Sequence, residues 1–318
     1  MQADPLLHVD GLDVRLGDVP LIRNVTLCLD EGQMLGLVGE SGCGKSVTAL
    51  AVMRLLAEPP MRVAAGSIRH AGRDLLSLRE SELCAVRGRD IGMIFQEPMT
   101  SLNPAFRIGQ QIAETLLLHE RVSRSVARQR AAELLETVGF PAPDAALRRY
   151  PHQLSGGQRQ RVMIAIALVC RPKVLIADEP TTALDVTVQA QILELLASLR
   201  REHRLAVLLI THDLGVVRSY CDRVAVMYSG EVVEQGRTDE VFAAPRHRYT
   251  RALMRTIPAA NPPGGRLPAI AGSVPPPQQR PPGCAFAPRC DAALPRCAVE
   301  PAALVGQSHR VRCWNPAP

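Results

Sequence analysis

One stretch of the chain has the residue types and spacing to hold phosphate. Gly39-Glu40-Ser41-Gly42-Cys43-Gly44-Lys45-Ser46 satisfies G-x-x-x-x-G-K-[ST] at every fixed position. It lies between a strand-like run, Gln33 to Gly39, and a helix pattern from Lys45 to Leu56, the context that motif requires. Its glycines let the backbone curl until N–H groups point at phosphate oxygens, with a helix N-terminus behind them. Lys45 would reach the β- and γ-phosphates, and the Ser46 hydroxyl would ligate Mg²⁺. All eight residues are candidate nucleotide contacts. Further along, the apolar run Val174 to Ala177 ends in two acids, Asp178 and Glu179. Acids at the carboxyl end of a parallel strand face the ligand crevice. Asp178 would hold Mg²⁺, usually through water, and Glu179 would polarise the attacking water.

With these residues in place the chain resembles the ATP-binding subunits of ABC transporters. Leu154-Ser155-Gly156-Gly157-Gln158 is identical to that family's signature sequence and ends twenty residues before Asp178. It begins a helix, so the Ser hydroxyl and Gly N–H groups make a second anion site. In the family this site faces ATP on another subunit's phosphate loop, which implies a head-to-tail dimer. Gln96, ending the strand-like run from Ile91, corresponds to the Q-loop glutamine that senses Mg²⁺ and the attacking water. Thr182-Ala183-Leu184-Asp185 resembles the D-loop, which crosses the dimer interface. His212, after the run Ala206 to Thr211, corresponds to the switch histidine that contacts the γ-phosphate. The resemblance covers residues 5 to 257. One departure concerns the base. Family members stack adenine on an upstream aromatic residue, whereas Val14-Arg15-Leu16-Gly17 offers Leu16, and no Phe, Tyr or Trp precedes Phe95. Adenine would then rest on an aliphatic surface.

Narrower features resemble the oligopeptide/dipeptide (and nickel) importer subfamily. They are the Q-loop stretch from Phe95 through Pro98, Met99 and Thr100 to Pro104, and Tyr150-Pro151-His152-Gln153 before the signature. Arg246 to Leu253 resembles the subfamily's RHPYTRAL-type motif, with Arg248 where Pro is usual. The resemblance implies two membrane permease subunits and a second ABC ATPase subunit, either a paralogue or a copy of itself. It also implies an extracytoplasmic substrate-binding protein, and a peripheral position on the cytoplasmic face of the inner membrane. The helical segment between the two stretches would bear the groove for a permease coupling helix. Dipeptide, oligopeptide, nickel and other small solutes all remain open, because the permease and binding protein choose the substrate.

The C-terminal tail has a framework of its own. Cys284, Cys290, Cys297 and Cys313 are spaced C-x5-C-x6-C-x15-C. A small Pro-rich segment needs a staple, and disulfides do not suit a cytosolic protein. Four thiolates suit Zn²⁺ or an iron–sulfur cluster. The lack of a close C-x2-C pair counts against a zinc ribbon. The Pro288-Arg289-Cys290 context resembles the cysteine tail of dipeptide-importer ATPases, which favours [4Fe–4S]; zinc and unliganded thiols stay open. Arg289, Arg296 and Arg312 would stabilise thiolates. Of the other cysteines, Cys28 and Cys170 sit in apolar runs and read as core, and Cys43 reads as open to alkylation.

Elements that could position these residues alternate between strand and helix. The strand-like runs are 33–39, 91–96, 174–177, 206–211 and 224–228. Helix patterns span 45–56, 126–138, 157–170, 186–200 and 213–221. Such alternation implies an α/β fold with a mostly parallel sheet covered on both faces. The family resemblance adds an antiparallel β subdomain and a helical subdomain. The expected organisation is an ABC ATPase domain over 1–257, with its helical subdomain at about 97–157. A Pro-rich linker over 258–283 and a cysteine-rich tail over 284–318 follow.

Composition narrows the partners. Net charge is +6, but ten Arg and two acids follow residue 245, while residues 1–245 hold 27 basic and 29 acidic groups. The body is therefore not a basic nucleic-acid surface. The tail's charge suits thiolates, the permease or an anionic membrane face. No run approaches the ~18 apolar residues of a membrane span, and the acidic N-terminus lacks a signal pattern, which reads as cytoplasmic. Only two lysines, Lys45 and Lys173, stand among 35 arginines. Two other readings are a soluble ABC ATPase acting on nucleic acid or ribosomes, and a redox-responsive regulatory scaffold.

Overall fold

A computed structural model describes residues 5–97, 101–182, 184–257 and 269–317. Pro98, Met99 and Thr100 of the Q-loop stretch, Ala183 of the D-loop stretch and linker residues 258–268 lie outside them. The chain forms two compact units. One runs to Leu76 and resumes at Leu209, and the other is Ser77–Leu208.

The first unit opens with β1 (Leu7–Leu16) and β2 (Val19–Leu29), then β3 (Met34–Val38). All five β3 residues are buried, as a strand covered on both faces requires. Helix α1 (Lys45–Val52) follows the phosphate loop, and β4 (Met61–His70) and β5 (Arg73–Asp74) complete an antiparallel sheet of order β2-β1-β4-β5. Helix α1 is shorter than its pattern predicts, because Arg54 takes φ +50° and ends it, a left-handed stop common at helix C-termini.

The second unit begins with α2 (Glu80–Val86) and β6 (Ile91–Ile94), so Phe95 and Gln96 lie beyond the strand. Three helices follow: α3 (Ile108–His119), α4 (Arg124–Thr137) and α5 (Pro143–Leu147). Helix α3 buries Ile108, Ile112 and Leu116, and α4 buries Ala127, Ala131 and Leu135. Each is a three-residue stripe recurring every four positions, and α3 and α4 pack against each other. Helix α6 (Gly156–Leu168) leads to β7 (Val174–Asp178), which runs parallel to β6 with Ile91 opposite Val174 and Ile94 opposite Ala177. Helix α7 (Val186–His203) follows. The chain returns to the first unit within β8 (Ala206–Thr211), whose six residues are all buried.

Back in the first unit come α8 (Leu214–Tyr220), β9 (Arg223–Tyr228) and β10 (Glu231–Arg237). They are followed by α9 (Thr238–Ala243), α10 (Arg248–Arg255) and a two-residue strand, β11 (Arg310–Val311). Strand β9 runs parallel to β3 and antiparallel to β10, and β11 adds antiparallel to the far side of β10. The tail therefore extends this unit's second sheet. Cys28 is exposed, contrary to its core reading, because β2 buries Leu27 and Leu29 and turns the residue between them outward. Cys170 is half-buried, its thiol directed at the Thr115 carbonyl, 3.7 Å away.

Candidate nucleotide-binding site

The phosphate loop leaves β3 at Gly39, where a Cβ would stand 2.1 Å from the Met227 carbonyl oxygen. Gly44 has φ +105°, and a Cβ there would meet the Ile22 side chain at 2.5 Å. Neither position admits a side chain, so the loop's tightness follows directly from its glycines. Lys45 is 5% exposed, and its Nζ donates to the carbonyl oxygens of Gly39 (2.9 Å) and Glu40 (3.2 Å). Those are bonds that an incoming phosphate could replace. Ser41 and Gly42 are exposed and Ser46 is half-buried. Cys43 is only 1% exposed and burial raises its thiol pKa, so the expectation that it is open to alkylation is corrected. Leu16, at the end of β1, is 37% exposed and lies opposite Val19 and Met61, an aliphatic surface. His212 is exposed directly after β8. The next residue, Asp213, caps α8 by accepting from the N–H groups of Gly215 (2.7 Å) and Val216 (3.2 Å).

In the other unit Asp178 ends β7 and is 4% exposed. Glu179 follows with φ +47°, a left-handed conformation that costs a β-carbon residue about 1 kcal/mol or more and clusters at functional positions. Its Oε2 accepts from the Thr182 hydroxyl (2.9 Å) and lies 3.4 Å from the Gln96 Nε2. The turn thus assembles Gln96 with Glu179. Thr182, read only as part of the D-loop stretch, is what orients the carboxylate.

The signature pentapeptide explains its own geometry. Leu154 is buried as an anchor, and Ser155 is the N-cap of α6. The Ser155 hydroxyl oxygen accepts from the Gln158 N–H (3.3 Å), while the Gln158 Oε1 accepts from the Ser155 N–H (3.1 Å). That reciprocal box leaves the hydroxyl proton free to donate and the first-turn N–H groups of Gly156 and Gly157 at a positive helix end. A Cβ on Gly157 would stand 2.8 Å from Val188 of α7. Asp185 caps α7 through the Val188 N–H (2.9 Å), so signature and D-loop stretches meet at one residue.

In the tail, all four cysteines line one cavity of about 20 Å³, with room for little more than one water. Among the described residues no three or more His, Cys, Asp or Glu are set to hold a metal ion. Burial pushes the Cys284 thiol up to about 11 and raises those of Cys290 and Cys313. The arginines expected to favour thiolates are spent elsewhere. Arg289 grips Glu40, Arg296 stacks 3.2 Å from the Trp314 ring centre, and Arg312 donates to the carbonyls of Val232 and Ala302. As placed, the tail cysteines are not arranged as a ligand set for a [4Fe–4S] cluster or for Zn²⁺.

A groove of about 920 Å³ opens on the helical segment of the second unit, lined by Phe106, Leu117, Leu118, Arg124, Arg128 and Tyr150 among others. Leu118 is 75% exposed, an unusual state for a large aliphatic side chain.

A glycine cradle with its lysine folded over the mouth, a strand-end carboxylate pair and a serine-capped signature helix together define an ATP-binding cassette. The family model for the ABC transporter matches residues 22–182, and that for the oligopeptide/dipeptide transporter C-terminal region matches 233–297. The chain belongs to the ABC transporter family, among the ATP-binding proteins of the oligopeptide/dipeptide group, and it is an ABC-type ATPase. It is 51% identical to the oligopeptide transport ATP-binding protein AppD of Bacillus subtilis, over 93% of this chain and 91% of that one. The same organism's dipeptide transport ATP-binding protein DppD is 47% identical, over 98% and 95%. Among solved structures, the dimeric post-hydrolysis state of the cassette MJ0796 bound to ADP and Pi superposes with a TM-score of 0.65 at 29% identity. That match covers 73% of this chain and 98% of that chain. CbiO1 of Clostridium perfringens, part of the complex cbiONQ, gives 0.66 at 28% identity, over 76% and 92%. Among the described residues no helix is long and apolar enough to cross a membrane.

Proposed function

We propose that this chain hydrolyses ATP to drive import of dipeptides or oligopeptides through an inner-membrane permease. The observation carrying this reading is near-half identity, along almost the entire chain and including the tail, to proteins named for oligopeptide and dipeptide transport. In this reading the loop Gly39 to Ser46 and Lys45 bind the triphosphate, and Leu16 supports the base. Ser46, Asp178 and Gln96 present oxygen ligands, the donor type a hard cation such as Mg²⁺ takes. Bound Mg²⁺ neutralises charge on the β- and γ-phosphates. Glu179, aimed by Thr182, polarises the attacking water, and His212 contacts the γ-phosphate. The Ser155 hydroxyl and first-turn N–H groups of α6 receive the phosphate of ATP held by a second subunit, with Asp185 at that interface.

The partners follow from the same reading: two permease subunits, a second ATPase subunit and, indirectly, an extracytoplasmic binding protein. The groove edged by Phe106, Leu117 and Leu118 offers an apolar seat for a permease coupling helix. We take 1–257 as the ATPase domain, about 97–157 as its helical subdomain, 258–283 as linker and 284–318 as tail, on the cytoplasmic face. A cluster or zinc ion on the tail thiols rests on their shared cavity alone; iron and zinc analysis of anaerobically purified protein decides it. The transport reading is tested by deleting the gene and measuring uptake of labelled di- and oligopeptides. Loss of peptide uptake, restored by the wild-type gene but not by Glu179→Gln, is expected. Unchanged peptide uptake with loss of another solute would overturn it.

A further inference from the structure

The second residue of the phosphate loop, Glu40, is held from the far end of the chain. The Arg289 side chain is 5% exposed, and its two terminal nitrogens form a fork on the Glu40 carboxylate at 2.7 and 3.1 Å. The remaining N–H groups are also used. They donate to the Tyr228 hydroxyl (3.2 Å) and to the carbonyls of Ala271 (2.8 Å) and Ile270 (3.3 Å). With all five of its donors satisfied, the guanidinium has one orientation. Its carbon lies 5.8 Å from the centre of the Tyr228 ring and 5.9 Å from that of Phe286, so aromatic faces complete the socket. The Glu40 N–H donates to the Tyr249 hydroxyl (2.9 Å), and its carbonyl accepts from Lys45 (3.2 Å). Glu40 is therefore tied at carboxylate, amide and carbonyl, and two of those ties come from residues after 248.

A carboxylate inside a loop that receives a polyanion is an electrostatic liability. Glu40 is partly exposed, and without a counter-charge it would repel the incoming phosphates at short range. We propose that Arg289 is a positioning residue of the nucleotide site. From the C-terminal tail it neutralises Glu40 and fixes the first turn of the phosphate loop, so that the loop accepts the triphosphate. This rests on reading Gly39 to Ser46 as the ATP site. It gives the tail a part in nucleotide affinity that needs neither metal nor redox chemistry.

The experiment measures MgATP dissociation constants, with KM and kcat, for the full-length protein and three variants. Arg289→Ala should weaken MgATP binding about tenfold, the low end for lost charge-assisted hydrogen bonds. KM should rise with little change in kcat. Arg289→Lys keeps the charge and loses the fork, so it should fall between the two. The decisive variant is Arg289→Ala combined with Glu40→Gln, which removes the orphaned charge and should recover most of the lost affinity. Equal affinity in wild type and Arg289→Ala overturns the proposal. So does a double variant as weak as Arg289→Ala, because that outcome means general damage to the tail. If wild type binds no MgATP, the nucleotide reading itself falls, an outcome distinct from both.

Discussion

At Glu179 a non-glycine residue keeps a left-handed backbone while its carboxylate is held by Thr182 beside Gln96. Glutamine is isosteric and can still accept from Thr182, so Glu179→Gln should keep MgATP binding and lower turnover by the 10²–10⁴ typical of a lost general base. Lys45→Ala should weaken nucleotide binding itself. Undiminished phosphate release from the Glu179 variant would remove its assigned role. If Leu16 supports the base as proposed, the base meets an aliphatic surface, so ATP and GTP should compete nearly evenly in wild type. Leu16→Tyr should tighten ATP about fivefold, the worth of an aromatic stack of ~1 kcal/mol, as read by nucleotide competition. The loop, Asp178 and Glu179 are legible in the sequence because their geometry is encoded locally, by glycine spacing and a strand end. Arg289 is not, because its partner is 249 positions away and only packing reveals the pair.

Helix α10 begins with a histidine used as a cap. The His247 Nδ1 accepts from the Tyr249 N–H (3.1 Å), and its buried Nε2 has no hydrogen-bond partner among the described residues. Burial, with help from Arg312, lowers its pKa from 6.5 to about 3. The unfolded chain therefore binds a proton below pH 6.5 that the folded one refuses. The stability His247 contributes in neutral form is fully present above pH 6.5 and is lost progressively as pH falls toward 3. The loss at pH 5 is about 2 kcal/mol. Asparagine keeps a cap acceptor and does not titrate, so His247→Asn should flatten the fall of Tm between pH 7 and 5; an unchanged slope would refute the assignment. Elements themselves were legible where burial is uniform, as in β7 and β8. They were misjudged where alternation decides the face, as with Cys28 on β2, or where a single left-handed residue stops a helix, as at Arg54.

At the scale of the molecule, the chain carries both a phosphate loop and a signature helix, the two halves that a head-to-tail pair would exchange. Glu179→Gln with MgATP should therefore double in mass by light scattering if the chain pairs with itself. A single-chain mass at saturating nucleotide would assign the second subunit to a paralogue. The tail contributes β11, a two-residue strand that lies against the outer side of β10. The same segment delivers His309, whose Nε2 stands 2.6 Å from the fully buried Glu234 carboxylate. Shortening the protein at Ile257 would thus uncover the β10 edge at Glu234 and Gln235, the two residues β11 pairs with, and would remove the His309 partner of the buried Glu234 carboxylate. Such an edge is a template for strand addition by neighbouring molecules. The shortened chain should self-associate in light scattering at concentrations where the intact chain stays dispersed. The few residues of β11 act as a selvedge, keeping the sheet from fraying into its neighbours.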